Sequence, residues 1–394
     1  MTLKTIYLVA GEVSGDNHGA ALMRALRKLR SDFHFIGRGG PEMQAIAEED
    51  FHNWIDDAAV VGLWEVVKNY RYFRQKFRET LNEIENQKPD AVVLIDYPGF
   101  NLRLAGALRR LAPSRKIIYY ISPQVWAWNR GRIKQMARSL DLMLCIFPFE
   151  AELYNPSGLR TIFVGHPMVE RLHAQKGDVP RDPNLIALFP GSRQREVRKI
   201  FPIMLSTATE LLRTKPGLRF VVAASSPELA GEMEEMLSSR NSFLSPPRGE
   251  KSKVSGDRPG FEIKIGKAAQ IMQQASVGII ASGSATLEAA YFRLPFVLVY
   301  KVSWLTYLAG RLVIKVDYLG MLNVIANRAI VPEFVQHEAR PRSIAKAVLR
   351  LVDNPAARDA MVSAFDEIIA SLGQGGASDR AARAILQELG DERS

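Results

Sequence analysis

Four short stretches carry residue types that can do chemistry, and each directly follows an apolar run. Asp96 ends the run Ala91–Ile95 and opens Asp96-Tyr97-Pro98-Gly99. A carboxylate at the end of a strand can act as a general base, although the same position also suits a cap or turn residue. Gly11-Glu12-Val13-Ser14-Gly15-Asp16 mixes glycines with two carboxylates, which repel a diphosphate but suit sugar hydroxyls or proton transfer. His18 follows close behind, either as a proton acceptor or as a structural histidine at a helix start. Ala281-Ser282-Gly283-Ser284-Ala285-Thr286-Leu287-Glu288 offers small residues and hydroxyls ahead of a helix, a setting that suits a diphosphate. Glu288, one turn in, could accept ribose hydroxyls. The plainer account is a tight turn with Ser284 as N-cap. Pro190-Gly191-Ser192-Arg193 forms a comparable loop, with Arg193, Arg195 and Lys199 supplying positive charge, and arginine can hold phosphate through two parallel hydrogen bonds.

Two further stretches combine aromatic and basic residues. Ser122–Trp128 holds Trp126 and Trp128 near Arg130, Arg132 and Lys134, so it suits sugar rings, lipid or simply the core. Within Gly62–Leu81, Trp64, Tyr72 and Phe73 interleave with Arg71, Arg74 and Lys76. On a helix this pattern can lie on anionic lipid, or turn its apolar stripe inward.

The elements that must position these residues repeat one pattern: a β-branched strand, a small-residue loop, an amphipathic helix. Thr5–Ala10, Ala91–Ile95, Leu185–Phe189 and Val277–Ile280 each begin such a unit. Alternating strands and helices predict an α/β fold with parallel sheets, and function at the carboxyl ends of the strands. The pattern restarts after Val164-Gly165-His166-Pro167, so residues 1–169 and 170–354 are expected as two Rossmann-like domains. Residues 355–394 read as a helical tail, and Ser238–Pro259 as a surface loop or insertion.

The 394 residues, 47% hydrophobic and 24% charged, are enough for two globular cores. The single cysteine, Cys145, excludes an intrachain disulfide and any cysteine-rich metal cluster. The net charge of +10 suits a basic surface, an anionic membrane, an anionic substrate or nucleic acid. No nucleic-acid reader motif accompanies it. The apolar run at Ile6–Ala10 is too short for a signal peptide, and Val277–Val302 is interrupted by Glu288 and Arg293. A cytoplasmic protein is expected.

Taken in order, several strings resemble the lipid-A-disaccharide synthase family: Ala10–Asp16, Gly37–Met43, Tyr120–Trp128, Phe147–Glu150, Val164–Pro167, Pro190–Arg193 and Ala281–Glu288. The resemblance implies the GT-B architecture, two Rossmann-like domains facing each other across a cleft. It implies acceptor binding in the first domain and donor binding in the second. The donor would be UDP-2,3-diacylglucosamine and the acceptor 2,3-diacylglucosamine 1-phosphate (lipid X), joined through a β-1,6 bond in the lipid A pathway of Gram-negative bacteria.

By the same resemblance Asp96 is the catalytic aspartate. The donor is expected at Ser14, Gly191, Ser192, Arg193, Ser282, Gly283, Ser284, Ala285, Thr286, Glu288, Asn323 and Gln336, with Glu333 matching a further polar position. Trp64, Arg71, Tyr72, Phe73 and Arg74 would meet acceptor or the inner-membrane surface. No cofactor, metal or nucleic acid is expected, and homo-oligomerisation is left open. Two positions depart from the family pattern: Gly99, where an acid is common, and Leu322, where proline is usual. Other sugar-nucleotide enzymes, epimerases among them, share the fold, which cannot choose between them.

Overall fold

The computed structural model describes residues 3–47, 50–55, 70–239, 260–302 and 317–390. They form two compact α/β units, residues 1–170 with 372–394 and residues 171–371.

The first unit holds a seven-stranded sheet of β1 (Lys4–Ala10), β2 (Phe33–Gly39), β3 (Phe51–Asn53), β4 (Ala91–Ile95), β5 (Lys116–Tyr120), β6 (Leu142–Cys145) and β7 (Thr161–Phe163), in the order β3-β2-β1-β4-β5-β6-β7. All pairings are parallel. Every residue of β4, Ala-Val-Val-Leu-Ile, is buried, as expected of a strand covered on both faces. Helix Val13–Leu29 buries Gly15, Asp16, Gly19, Ala20, Leu22, Met23, Ala25 and Leu26, a stripe at helical spacing.

The second unit holds six parallel strands, β8 (Asp182–Phe189), β9 (Arg219–Ala224), β10 (Phe261–Ile265), β11 (Ala275–Ala281), β12 (Phe296–Tyr300) and β13 (Glu333–Val335), ordered β10-β9-β8-β11-β12-β13. Both sheets grow outward from a central strand in one direction and then restart on its other side. The reversal falls between β1 and β4 in one unit and between β8 and β11 in the other, and crevices form at such points.

Residues 355–394 do not behave as one tail. Helix Pro355–Ser371 packs in the second unit, where the Phe365 and Phe296 rings lie 5.7 Å apart and Arg293 pairs with Asp366 at 2.7 Å. Helix Ala377–Glu388 belongs to the first unit and lies against helix Val13–Leu29. Its alanines 377, 381, 382 and 384 are buried, and small side chains of this kind permit close approach. Arg380 donates to the Val164 carbonyl at 2.8 Å, and Glu388 pairs with Lys116 at 2.6 Å and Arg160 at 2.7 Å. An amphipathic pattern shows that a helix buries one face but not against what, so the division was not visible in it. Among the described residues no helix is long and apolar enough to cross a membrane.

Candidate active site

At the switch point of the first sheet, Ala10 of β1 lies in register with Ile95 of β4, so the loops that follow them are neighbours. Two consecutive residues of the second loop, Asp96 and Tyr97, have positive φ, 47° and 49°. At the end of the adjoining strand β5, Ile121 has φ 65°, a conformation a β-branched residue rarely adopts. Three such residues at the ends of neighbouring strands mark stored backbone strain, which gathers at functional sites.

The scaffold holds this conformation through the backbone. The Asp96 amide donates to the Tyr120 carbonyl at 3.0 Å. The Asp96 carbonyl accepts from the Tyr119 hydroxyl and from Asn101 Nδ2 at 2.8 Å. Asn101 is fully buried and its Nδ2 also reaches the carbonyls of Ile95 and Val9, tying the two strands together. The Asp96 carboxylate does not cap the following helix, Pro98–Leu111, whose cap position is Tyr97. Burial lifts the Asp96 carboxyl to about 6, Glu12 adds repulsion, and the Tyr97 amide partly offsets both. A carboxyl so tuned is a better base than an ordinary aspartate, and still ionised near neutrality. Gly99 stands in open space, so a second acid would fit there sterically but is absent.

The other carboxylates of the first loop differ in role. Asp16 is 2% exposed and accepts from the amides of Gly40 (2.9 Å), Glu42 (3.0 Å) and Met43 (3.0 Å). It anchors the start of helix Pro41–Ala47 and has little left for a substrate. Glu12 and Ser14 are exposed, and His18 is half-buried on helix Val13–Leu29. Trp54 donates to the Ala10 carbonyl at 2.6 Å and stacks edge-on with Phe100, which also meets Phe77 and Tyr97, so an aromatic cluster supports the floor of this edge.

Trp126 is core, not surface: it is 5% exposed and donates to Glu150 at 3.0 Å. Glu150 is fully buried, also accepts from the Phe147 amide at 3.2 Å, and is pushed by burial to about 7. Together with Tyr154, whose hydroxyl donates to the Pro123 carbonyl at 2.8 Å, it fixes the loop after β5. Residue types alone did not single out Glu150, because its side-chain partner Trp126 lies 24 residues away in the chain. The Trp128 side chain and Trp64 fall outside the described residues.

Helix Tyr70–Gln87 turns Phe77, Thr80 and Ile84 toward the protein. Tyr72 and Phe73 are half-buried and pack edge-on, Lys76 lies over the Tyr72 ring, and Arg71 and Arg74 are exposed.

In the second unit Phe189 of β8 pairs with Ile280 of β11, which brings the loops Pro190–Arg193 and Ala281–Ala285 together at the switch point. Gly191 has φ 117°, and a Cβ there would strike the Glu196 side chain at 2.7 Å. Gly191, Ser192 and Arg193 are followed by helix Gln194–Thr214, and the Arg193 side chain is 80% exposed, with Glu196 at 3.6 Å as its ion partner. In the other loop Ser282 is half-buried, Gly283 and Ser284 are exposed, and the Ser284 side chain makes no cap bond. Among the described residues no carbonyl accepts from the amides of Gly283, Ser284 or Ala285. Thr286 is 2% exposed and donates its hydroxyl proton to the Gly283 carbonyl at 2.7 Å. Glu288 is mostly buried and pairs with Arg171.

Asn323 and Gln336 are committed to the protein itself. Asn323 donates to the Val331 carbonyl and to Glu333 and accepts from the amides of Ile330 and Val331, all within 2.9 Å. Glu333 in turn accepts from the amides of Leu319 and Gly320, both at 2.9 Å. Gln336, at φ 52°, exchanges hydrogen bonds with the backbone of Val302. Leu322 is buried in helix Met321–Ala326.

Two doubly wound parallel units, each with its polar loops at the switch point, define a protein of the GT-B class. The fold is shared with the UDP complex of S. aureus MnaA, at TM-score 0.64 and 13% identity over 100% of this chain and 98% of that one. It is shared also with the kitacinnamycin glycotransferase, at TM-score 0.60 and 13% identity over 98% of each chain. A family model described as lipid-A-disaccharide synthetase matches residues 6–386. The chain is 36% identical to the lipid-A-disaccharide synthase of Geobacter sulfurreducens over 399 residues, 99% of each sequence. Against that of Myxococcus xanthus it is 36% identical over 392 residues, 98% of this chain and 97% of the relative. The chain belongs to the lipid-A-disaccharide synthase family, and it is a glycosyltransferase of lipid A biosynthesis.

Proposed function

We propose that this enzyme joins UDP-2,3-diacylglucosamine to 2,3-diacylglucosamine 1-phosphate, releasing UDP and a β-1,6-linked disaccharide 1-phosphate. One observation carries the reading: a carboxyl raised to about 6, on a strained loop at the switch point of the first unit, with its backbone committed to the scaffold. Asp96 takes the proton of the acceptor's 6-hydroxyl. That oxygen attacks the anomeric carbon of the donor while the bond from this carbon to the β-phosphate oxygen breaks, and the electron pair leaves with UDP. Attack on the face opposite an α-linked leaving group gives a β product.

The charge on departing UDP is met by Arg193 and by the unused amides of Gly283, Ser284 and Ala285, fixed dipoles that need not reorganise. Neither metal nor cofactor takes part in this scheme. Glu288 accepts the ribose hydroxyls, while Asn323 and Gln336 act through the backbone they hold. Both substrates carry acyl chains, so the enzyme works at the cytoplasmic face of the inner membrane, meeting it through Arg71, Tyr72, Phe73 and Arg74. The test is to mix purified protein with the two acylated substrates and follow disaccharide and UDP by mass spectrometry. The anomeric proton coupling of the product then reports its configuration. An α-linked product would overturn the single displacement. No product from these substrates would overturn the assignment.

A further inference from the structure

Glu288 is held from outside its own helix. Its Oε1 lies 2.7 Å from Nη2 of Arg171, on helix Pro167–His173. The same two helices meet again where Tyr291 Oη stands 3.5 Å from His173 Nδ1. The Arg171 side chain is 53% exposed and that of Glu288 only 16%. An ion pair with one partner this open adds little to stability. Its consequence is geometric. A charge-assisted hydrogen bond to one carboxylate oxygen restrains the side chain and leaves the other oxygen to accept elsewhere. Among the described residues Glu288 Oε2 has no hydrogen-bond partner. It faces its task as an acceptor only, which suits a donor such as a hydroxyl pair.

We infer that Arg171 is a positioning residue for the nucleotide: it orients Glu288 so that Oε2 accepts from the vicinal hydroxyls of the donor's ribose. This rests on the reading of Glu288 as the ribose acceptor. Sequence could not reveal the pair, whose members are 117 residues apart.

The test compares UDP with 2′,3′-dideoxy-UDP by calorimetry on the full-length protein. The wild type should prefer UDP. In Arg171→Met that preference should shrink about tenfold, the scale of one charge-assisted hydrogen bond, through weaker UDP binding alone. Arg171→Lys, which keeps the charge, should recover part of it, and Glu288→Ala, which removes the acceptor, should abolish it. A scaffold role for Arg171 would weaken both ligands equally. That result, or an unchanged preference in Arg171→Met while Glu288→Ala loses it, overturns the inference and leaves the ribose reading standing. Equal binding of the two ligands by the wild type overturns the ribose reading, and this inference with it.

Discussion

Tyr97 lies across Gly11, with ring carbons 2.3 to 2.7 Å from where a Cβ on Gly11 would stand. The two loops at the switch point are thus fitted through a residue with no side chain. Gly11→Ala must displace the Tyr97 ring, and with it the strained pair that presents Asp96. Overpacking of this kind costs about 1–3 kcal/mol. We expect a folded enzyme with turnover reduced about tenfold, partly restored when Tyr97→Ala is added. Kinetics of the four-member cycle decide; additive losses would mean that the contact does not hold Asp96.

Asp96→Asn keeps the shape and removes the proton acceptor. Turnover should fall on the order of a hundredfold or more, with UDP affinity unchanged by calorimetry. Stability should move the other way. Burial raises the carboxyl from 3.8 to about 6, so the folded state binds the proton more tightly than the unfolded chain. The wild type therefore loses stability as pH rises through that window, and the neutral amide does not. The variant should melt above the wild type at pH 8, with the gap closing toward pH 4. Near-normal turnover would remove Asp96 from the mechanism.

The acid limb of kcat/KM should show an apparent pKa near 6, because the general base must be ionised. Glu12 is the second cause of the raised value, after burial. Glu12→Gln should therefore shift the limb to lower pH. A limb that stays in place would mean that another group titrates.

Arg193→Ala should weaken UDP binding about tenfold and slow transfer, since it deletes a charge-assisted contact. Calorimetry with UDP measures the first effect. Turnover should persist in EDTA. Loss that returns only on adding a divalent ion would refute the metal-free scheme.

Binding to anionic vesicles should weaken with salt without vanishing. Arg71→Gln with Arg74→Gln removes two exposed charges, each worth about 1 kcal/mol at an anionic surface, and should reduce the salt-sensitive part. Tyr72→Ser with Phe73→Ser should reduce what survives high salt. Co-sedimentation at two ionic strengths checks both. A variant pair that melts as the wild type and binds unchanged would exclude this helix as the contact.

Much of this fold was legible because buried parallel strands are continuous apolar runs, as in Ala91–Ile95 and Val277–Ile280. Asp96 could be singled out because a carboxylate closing such a run must stand at the sheet edge. What adjacent residues could not show is where a polar side chain spends its hydrogen bonds. Asp16 resembles a catalytic acid in its loop, yet its partners are amides 24 to 27 residues away. Asn323 and Gln336, which the family resemblance places at the donor, also spend side-chain hydrogen bonds on the backbone. Ile121, at φ 65°, gives its amide to the Leu144 carbonyl on the next strand, a tertiary contact with no local signature.

Because helix Ala377–Glu388 returns to helix Val13–Leu29, the unit that is synthesised first is completed last. While the chain is still being made, the surface that includes Lys116, Arg160 and the Val164 carbonyl waits without its partners. Contacts of such long sequence separation form slowly, and open apolar surface in the interval invites aggregation. A stop codon near residue 372 would leave the second unit whole and the first unfinished. Truncation at this end should therefore show up as poor recovery of soluble protein, and supplying the missing helix as a separate peptide should restore it.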